Sequence, residues 1–224
     1  MDRNFALGAD HILRCTVFAQ FDWQTHGFGT RHANPSADIT LRQVHSNRVL
    51  DAAGLTGRCC EGDGLIGDMA GKSVGVRTAD CVPILLLDTG HRGVAAVHAG
   101  WRGTADGILL RALDTMRMHW GTQVDSVHAA IGPAIQACCY EVGPEVAARF
   151  VPLFPEWPPE PGRHKVNLPA ANRRHLLSAG IRPDRIYDCG LCTYCRADLF
   201  FSYRRDPQDP GRMLSAIGLR VFDV

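Results

Sequence analysis

Apolar residues fall into short runs whose period changes along the chain. Residues 12–19 (Ile-Leu-Arg-Cys-Thr-Val-Phe-Ala) read as a strand, followed by a turn at Gly27-Phe28-Gly29-Thr30. Two further strand-like runs cover 73–78 and 82–87. The second, Val-Pro-Ile-Leu-Leu-Leu, has no polar alternation, as a strand covered on both faces requires. Gly93 to Val97 is another apolar run, and it leads into His98.

After Gly103 the period becomes helical. Ile108, Leu109, Ala112, Leu113, Met116 and Trp120 share a face, Thr104 is placed as an N-cap, and Asp106 falls in the first turn, where the helix dipole favours an acid. The pattern predicts a helix over 104–120. Val124 to Ile131 reads as a strand and Pro144 to Phe150 as a short helix. Residues 152–161 hold five prolines in ten positions, which predicts an irregular surface crossing inside one domain. Ala170 to Ala179 reads as a helix ended by Gly180, and Arg185–Asp188 and Leu199–Tyr203 as short strands. Strands and helices interleave without a regular cadence, so the expected fold is α/β, with mixed sheets and outer helices in a single domain over 1–224.

The 224 residues are 46% hydrophobic and 21% charged. A chain of this size buries roughly 70% of its unfolded surface in one core. A net charge of +1 gives no electrostatic footprint for nucleic acid or an anionic membrane, which points to a small-molecule substrate. The N-terminus lacks a basic start followed by an apolar stretch, and no run of about 18 apolar residues occurs, so the expected location is cytoplasmic. Nothing in charge or periodicity calls for a second chain, and a monomer is the default. The nine cysteines then read as thiols or metal ligands rather than disulfide staples.

Several motifs fail. Gly67 to Ser73 has three residues between its glycines where a phosphate loop needs four, and reads as a turn. No third glycine completes a dinucleotide fingerprint near Gly27, no Gly-x-Ser-x-Gly elbow exists, and no His-x-Glu supports a zinc-deaminase signature. Cys189, Cys192 and Cys195 recur every third residue, as a zinc or iron–sulfur site would need, but no fourth ligand lies at a matching spacing. They read as semi-buried apolar groups, as do Cys138 and Cys139.

A more promising set is His45, Cys81 and His98, each beside a strand-like run. These residues meet only through tertiary folding, and three ligands on a tetrahedral ion leave one place open for water or substrate. Two chemistries fit the set, a zinc enzyme and a metal-free enzyme in which Cys81 is the nucleophile and His98 its base, whereas a copper-dependent phenol oxidase is disfavoured because copper oxidases use several His-rich sites and this cluster has one thiolate and only two histidines. A non-catalytic, zinc-stabilised binding protein is a fourth reading.

Eight ordered blocks carry a family resemblance. They are Leu41-Arg42-Gln43-Val44-His45-Ser46, Gly62-Asp63-Gly64-Leu65-Ile66, Val76 to Leu85 with Arg77-Thr78-Ala79-Asp80-Cys81 inside it, Ala95 to Thr104 with His98-Ala99-Gly100-Trp101-Arg102, Ile131 to Ile135, Cys139-Tyr140-Glu141-Val142-Gly143, Leu191-Cys192-Thr193, and Phe200 to Arg205. Together they resemble the laccase-domain, or polyphenol-oxidase-type, proteins regarded as multifunctional purine nucleoside phosphorylases. The resemblance implies mixed β-sheets sandwiched between outer helices in a four-layer, αββα-like arrangement. It implies His45, Cys81 and His98 as zinc ligands, one ion per chain. It also implies phosphorolysis of adenosine, inosine, guanosine and S-methyl-5'-thioadenosine, with deamination of adenosine. The chain departs from the family in the short interval from His32 to Leu41, where a Leu-Asn element of the family's pocket has no recognisable counterpart.

The chemistry narrows the supporting cast. Zinc on two imidazoles and one thiolate lowers the pKa of bound water toward about 7, which suits deamination. Phosphorolysis instead needs cations that hold phosphate near the ribose C1′ and a group that polarises the departing purine. Arg31 and Arg77 are candidates for the anion, with Arg204 third. Asp80 is a candidate acid/base or orienting group, although strand alternation points it away from Cys81. Trp101 is placed either to stack on a purine or to fill the core. Asp63, between two glycines, reads as an exposed turn residue.

Overall fold

The computed structural model describes residues 2–156, 164–208 and 211–221. Its strands, in chain order, are β1 (Phe5–Leu7), β2 (Leu13–Cys15), β3 (Gln24–Phe28), β4 (Ile39–Arg42), β5 (Val49–Asp51), β6 (Gly57–Glu61), β7 (Gly64–Gly67), β8 (Ser73–Thr78), β9 (Val82–Asp88), β10 (Gly93–Ala99), β11 (Val127–Ile131), β12 (Glu141–Val142), β13 (His164–Lys165), β14 (Ile186–Asp188) and β15 (Met213–Leu219). The helices are α1 (Trp101–Ala105), α2 (Ile108–Trp120), α3 (Pro144–Ala147) and α4 (Leu168–Ser178).

Two mixed sheets dominate. One has the order β1-β2-β3-β15-β8-β4-β6 and the other β14-β11-β9-β10-β7-β5, with β12 and β13 forming a separate ribbon. The unbroken apolar run of β9 is explained by its two buried faces. Val82, Ile84 and Leu86 pack toward the helices with Ile108, Leu109 and Ala112, whereas Leu85 and Leu87 pack between the sheets with Phe28, Val74 and Val76. Burying large side chains on both faces stabilises by roughly 1.5–3 kcal/mol each, which makes β9 and β10 the rigid centre.

The expected mixed sheets with outer helices are present. The helices that pack on strands, α1, α2 and α4, touch β5, β7, β10 and β14 of the second sheet. These helices cover the second sheet, whose other side packs on the first sheet through Leu85, Leu87, Val74 and Val76. Among the described residues no helix is long and apolar enough to cross a membrane.

Local departures from the expected elements have local causes. The helix predicted over 104–120 begins earlier, at Trp101, and is broken by Gly107, whose φ of 71° lies in the left-handed region that glycine tolerates. Thr104 is consequently inside α1, where its hydroxyl accepts a hydrogen bond from Asn172 Nδ2 at 3.0 Å, and Asp106 closes that helix. Gly27 and Phe28 belong to β3 rather than a turn; a Cβ on Gly27 would sit 2.5 Å from Ile12 Cγ2. The strand expected at 12–19 shrinks to β2, and the one at 124–131 starts with a 3-10 turn over Val124–Ser126. Leu199 to Tyr203 is not a strand, because Leu199 and Phe200 both donate to the Arg196 carbonyl and wind the chain into a turn. The proline-rich crossing at 152–161 lies partly outside the described residues, which resume at His164.

Candidate metal centre and its cavity

The chain passes from one sheet to the other between β8 and β9, and that crossover builds the site. Asp80, at φ 89°, turns the backbone so that Cys81 stands where the two sheets meet. His98 ends β10 opposite Pro83 at the start of β9. His45 follows β4, and Gln43 holds the end of that strand in place. Its Nε2 donates to the Arg77 carbonyl and its Oε1 accepts from the Arg77 N–H, both at 2.7 Å, which extends the β4–β8 pairing through a side chain. The three residues predicted from sequence thus converge. Their ligand atoms lie within 4.8 Å of one another, with Cys81 Sγ 3.9 Å from His45 Nε2.

Asp63 locks this geometry. It is fully buried at the entry of β7, directly beside His98, and not an exposed turn residue as its flanking glycines suggested. Its Oδ1 lies 2.8 Å from His98 Nδ1 and accepts from the His45 N–H at 3.0 Å, while Oδ2 accepts from Ser46 N and Oγ at 2.6 and 2.7 Å. This ring of donors holds His45 in a left-handed conformation, φ 59°, that a non-glycine residue otherwise adopts at a cost of about 1–2 kcal/mol. It also assigns the Nδ1 proton of His98 to the carboxylate and turns Nε2 toward Cys81, the arrangement metal-ligating histidines use.

Electrostatics follow. Burial disfavours ionising Asp63, but hydrogen bonds from His98 and Ser46 outweigh it and hold the carboxyl at about 2. Burial likewise opposes the Cys81 thiolate, yet the His98 charge and contacts with both imidazoles bring it down to about 6. Burial lowers His98, whereas the Cys81 thiolate and Asp63 raise it, to about 9. The thiolate that a metal needs is therefore present at neutral pH, and metal binding displaces the His98 proton.

The residues fit a metal ion. Two nitrogens and one sulfur at these separations match ligands about 2.0–2.3 Å from a common tetrahedral centre. Gly100 leaves room for it: a Cβ there would stand 2.9 Å from His45 Cδ2 and 3.1 Å from Cys81 Sγ.

A cavity of about 670 Å³ opens over the three ligands. Arg77 and Arg204 line it, and Arg58, Arg102 and Arg212 add to the cationic wall. Trp101 also lines it, with the Arg102 guanidinium 4.6 Å from its ring centre. Arg31 does not line the cavity; its guanidinium bonds to the Ala197 carbonyl and lies over Phe201. Asp80 borders the cavity, but its Oδ1 accepts from Thr193 Oγ1 at 2.6 Å and its Oδ2 from the Arg204 N–H at 2.7 Å. Both oxygens thus serve to tie loops together. Tyr140 was not singled out from the sequence, although it sits in a quoted block. Its ring lies under the Arg204 guanidinium, and burial pushes its phenol up to about 12, so it remains a hydrogen-bond donor. Thr78 lines the same cavity, and its Oγ1 is buried with no hydrogen-bond partner among the described residues.

Cys189 is buried between the sheets, away from Cys192 and Cys195. Those two meet Cys138 and Cys139 instead.

Comparison with known proteins gives one family. Residues 27–220 match the family model described as multi-copper polyphenol oxidoreductase laccase. The chain is 40% identical over 164 residues to a protein from Geobacillus stearothermophilus named purine nucleoside phosphorylase YlmD, a match covering 70% of this chain and 60% of that protein. It is 40% identical over 181 residues to a purine nucleoside phosphorylase of Deinococcus radiodurans, covering 80% and 69%. A protein named adenosine deaminase RL5, from an unknown prokaryotic organism, is 38% identical over 69% of this chain and 61% of its own length. The chain thus spans about 60% of the length of the first of these relatives. The crystal structure of YlmD from Geobacillus stearothermophilus superposes with a TM-score of 0.86 at 30% identity, covering 97% of this chain and 99% of that one. A match that takes in every element from β4 to β15, together with relatives at 40% identity, places the chain in the multi-copper polyphenol oxidoreductase laccase family.

Proposed function

We propose that the protein is a zinc-dependent purine nucleoside phosphorylase that also deaminates adenosine, with His45, Cys81 and His98 as the metal ligands. The observation that carries this reading is a cavity of nucleoside size whose floor is the three-ligand cluster and whose wall is cationic. The names carried by relatives at 38–40% identity support the same substrates.

A zinc ion bound there would supply Lewis-acid chemistry and, with one coordination place left by three protein ligands, a polarised water. Arg77 of β8 and Arg204 of the 203–205 turn, both lining the cavity, hold phosphate through charge-assisted hydrogen bonds. In phosphorolysis a phosphate oxygen forms the new bond to ribose C1′ while the C1′–N9 bond breaks. The bonding pair leaves with the base, which takes up a proton, giving free base and ribose 1-phosphate. Positive charge develops on the sugar, so a bound phosphate dianion stabilises the transition state more than the ground state. Trp101 offers a face for the purine and Tyr140 a hydroxyl donor for it. Asp80 acts as a positioning residue through Thr193 and the Arg204 backbone. Deamination of adenosine takes a water in and releases ammonia, leaving inosine.

The test is incubation of purified protein with inosine and with adenosine, each with and without inorganic phosphate. Release of free base and ribose 1-phosphate only when phosphate is present supports the reading, as does phosphate-independent conversion of adenosine to inosine. Copper in the purified protein with oxidation of phenols, and no base released, contradicts it.

A further inference from the structure

Two loops outside the cavity run side by side. Ala134 N donates to the Leu191 carbonyl at 3.2 Å and Thr193 N to the Ala134 carbonyl at 3.1 Å, so the segment after β11 is laced to the segment after β14. The lacing carries Cys138 and Cys139 from one loop against Cys192 and Cys195 from the other. All four Sγ atoms lie within 4.8 Å of one another, with Cys139 to Cys195 at 3.3 Å and Cys138 to Cys195 at 3.7 Å. Four sulfurs placed about 2.3 Å from one tetrahedral ion stand about 3.8 Å apart, a spacing that the four sulfurs here, all within 4.8 Å, bracket.

Packing does not explain the cluster. Cys192 is buried in the core, but Cys138 and Cys195 are exposed and Cys139 is half-buried, whereas cysteines used as small apolar groups are buried. The Gln136 N–H points at Cys192 Sγ from 3.5 Å, as a backbone donor does toward a ligand sulfur.

We propose that Cys138, Cys139, Cys192 and Cys195 form a second metal site, a closed four-thiolate site for zinc, separate from the His45–Cys81–His98 centre. Four protein ligands leave no open place, so its role is structural. The loops it joins are the ones that border the cavity: Ile135 and Tyr140 line it from the first, and Thr193 of the second holds Asp80. Ile135 N also donates to the Asp80 carbonyl at 2.9 Å, so the clamp reaches the residue next to Cys81. The site therefore fixes the wall that carries Tyr140 and Arg204.

The experiment is elemental analysis of the full chain, purified with reductant and without added metal, alongside two variants. The double variant His45→Ala/Cys81→Ser keeps about one zinc per chain, whereas Cys138→Ser/Cys195→Ser holds about one fewer than the wild type. Cobalt loaded into His45→Ala/Cys81→Ser gives the intense near-ultraviolet sulfur-to-metal absorption of a multi-thiolate tetrahedral site; this readout stands even if the second variant does not fold. No metal and no such absorption in His45→Ala/Cys81→Ser overturns the proposal. So does an intact mass showing a Cys139–Cys195 disulfide in the native wild-type protein.

Discussion

His98 and Asp63 face each other across the paired ends of β10 and β7, with Nδ1 of the imidazole 2.8 Å from Oδ1 of the carboxylate and the His98 N–H donating to the Asp63 carbonyl at 2.7 Å. One residue thus orients His98, a proposed metal ligand, by its side chain and its backbone, and the same carboxylate gathers the 44–46 backbone that presents His45. Replacing Asp63 removes both supports. Asp63→Asn is expected to weaken metal binding by about 10–100-fold, the usual cost of losing a histidine's outer partner. Competitive titration with a chelator measures it; unchanged affinity contradicts the assigned role.

Gly100 predicts a steric effect of opposite character. The Cβ of Gly100→Ala would come within 2.9 Å of His45 and 3.1 Å of Cys81, while the backbone φ of −70° is one alanine adopts freely. The fold is expected to melt within a few degrees of the wild type while metal content and turnover fall at least about tenfold, as a displaced ligand implies. A variant with wild-type metal content would show that the cluster is looser than described.

The thiolate of Cys81 offers a pH test on metal-stripped protein. Because His98 and His45 outweigh the burial of the sulfur and hold its pKa at about 6, alkylation by iodoacetamide should rise with a midpoint near that value, well below an ordinary thiol. Bound metal should then protect it. A midpoint near that of a free cysteine would remove the electrostatic account, and alkylation with full loss of activity in protein that never held metal would favour the metal-free nucleophile.

Acid stability should depend on His26. Burial pushes its imidazole down to about 4, and its Nε2 accepts the Cys15 N–H at 3.0 Å, which requires the neutral ring. The folded pKa lies below the unfolded one near 6.5, so this contribution is complete above that value and is lost as pH falls from 6.5 toward 4. By pH 5 the loss is about 1–2 kcal/mol, allowing for the ring's partial exposure. Urea unfolding of wild type and His26→Gln at pH 7 and pH 5 checks it: the wild type should lose more between the two pH values. Equal losses would assign the acid sensitivity elsewhere.

The proposed phosphate contact of Arg77 can be tested separately from the metal. Arg77→Ala is expected to raise the KM for phosphate by about tenfold, the scale of one charge-assisted contact at an accessible position, and to leave adenosine deamination and metal content near wild type. A parallel fall in both activities would place Arg77 elsewhere in the reaction.

Legibility in the sequence followed the physics of each feature. The buried strands β9 and β10 announce themselves because a strand covered on both faces needs an unbroken apolar run, and their ends located Cys81 and His98. His45 was readable only as a candidate, since what brings it to them is the Gln43–Arg77 pairing and the Asp63 ring of donors, which are tertiary. Asp63 was misread for that reason: two flanking glycines signal a turn, whereas here they permit close packing, with the place for a Gly64 Cβ only 2.9 Å from Val49. The helix after His98 was legible in period but not in its start or its break, because Gly107 is a single left-handed residue inside an otherwise helical pattern. Arg31 failed because a guanidinium's partner depends on which loop passes it, here residues 197–201. The four-cysteine cluster escaped the sequence because its two halves lie more than fifty residues apart, and regular spacing drew attention to Cys189, which faces the core between the sheets.

The account rests most heavily on a metal held by His45, Cys81 and His98. The direct measurement is metal content by elemental analysis of wild type and His45→Ala, with inosine phosphorolysis read on the same samples. The expected result is about one zinc fewer per chain in the variant, together with loss of phosphate-dependent base release. Equal zinc content with full turnover in His45→Ala would contradict it.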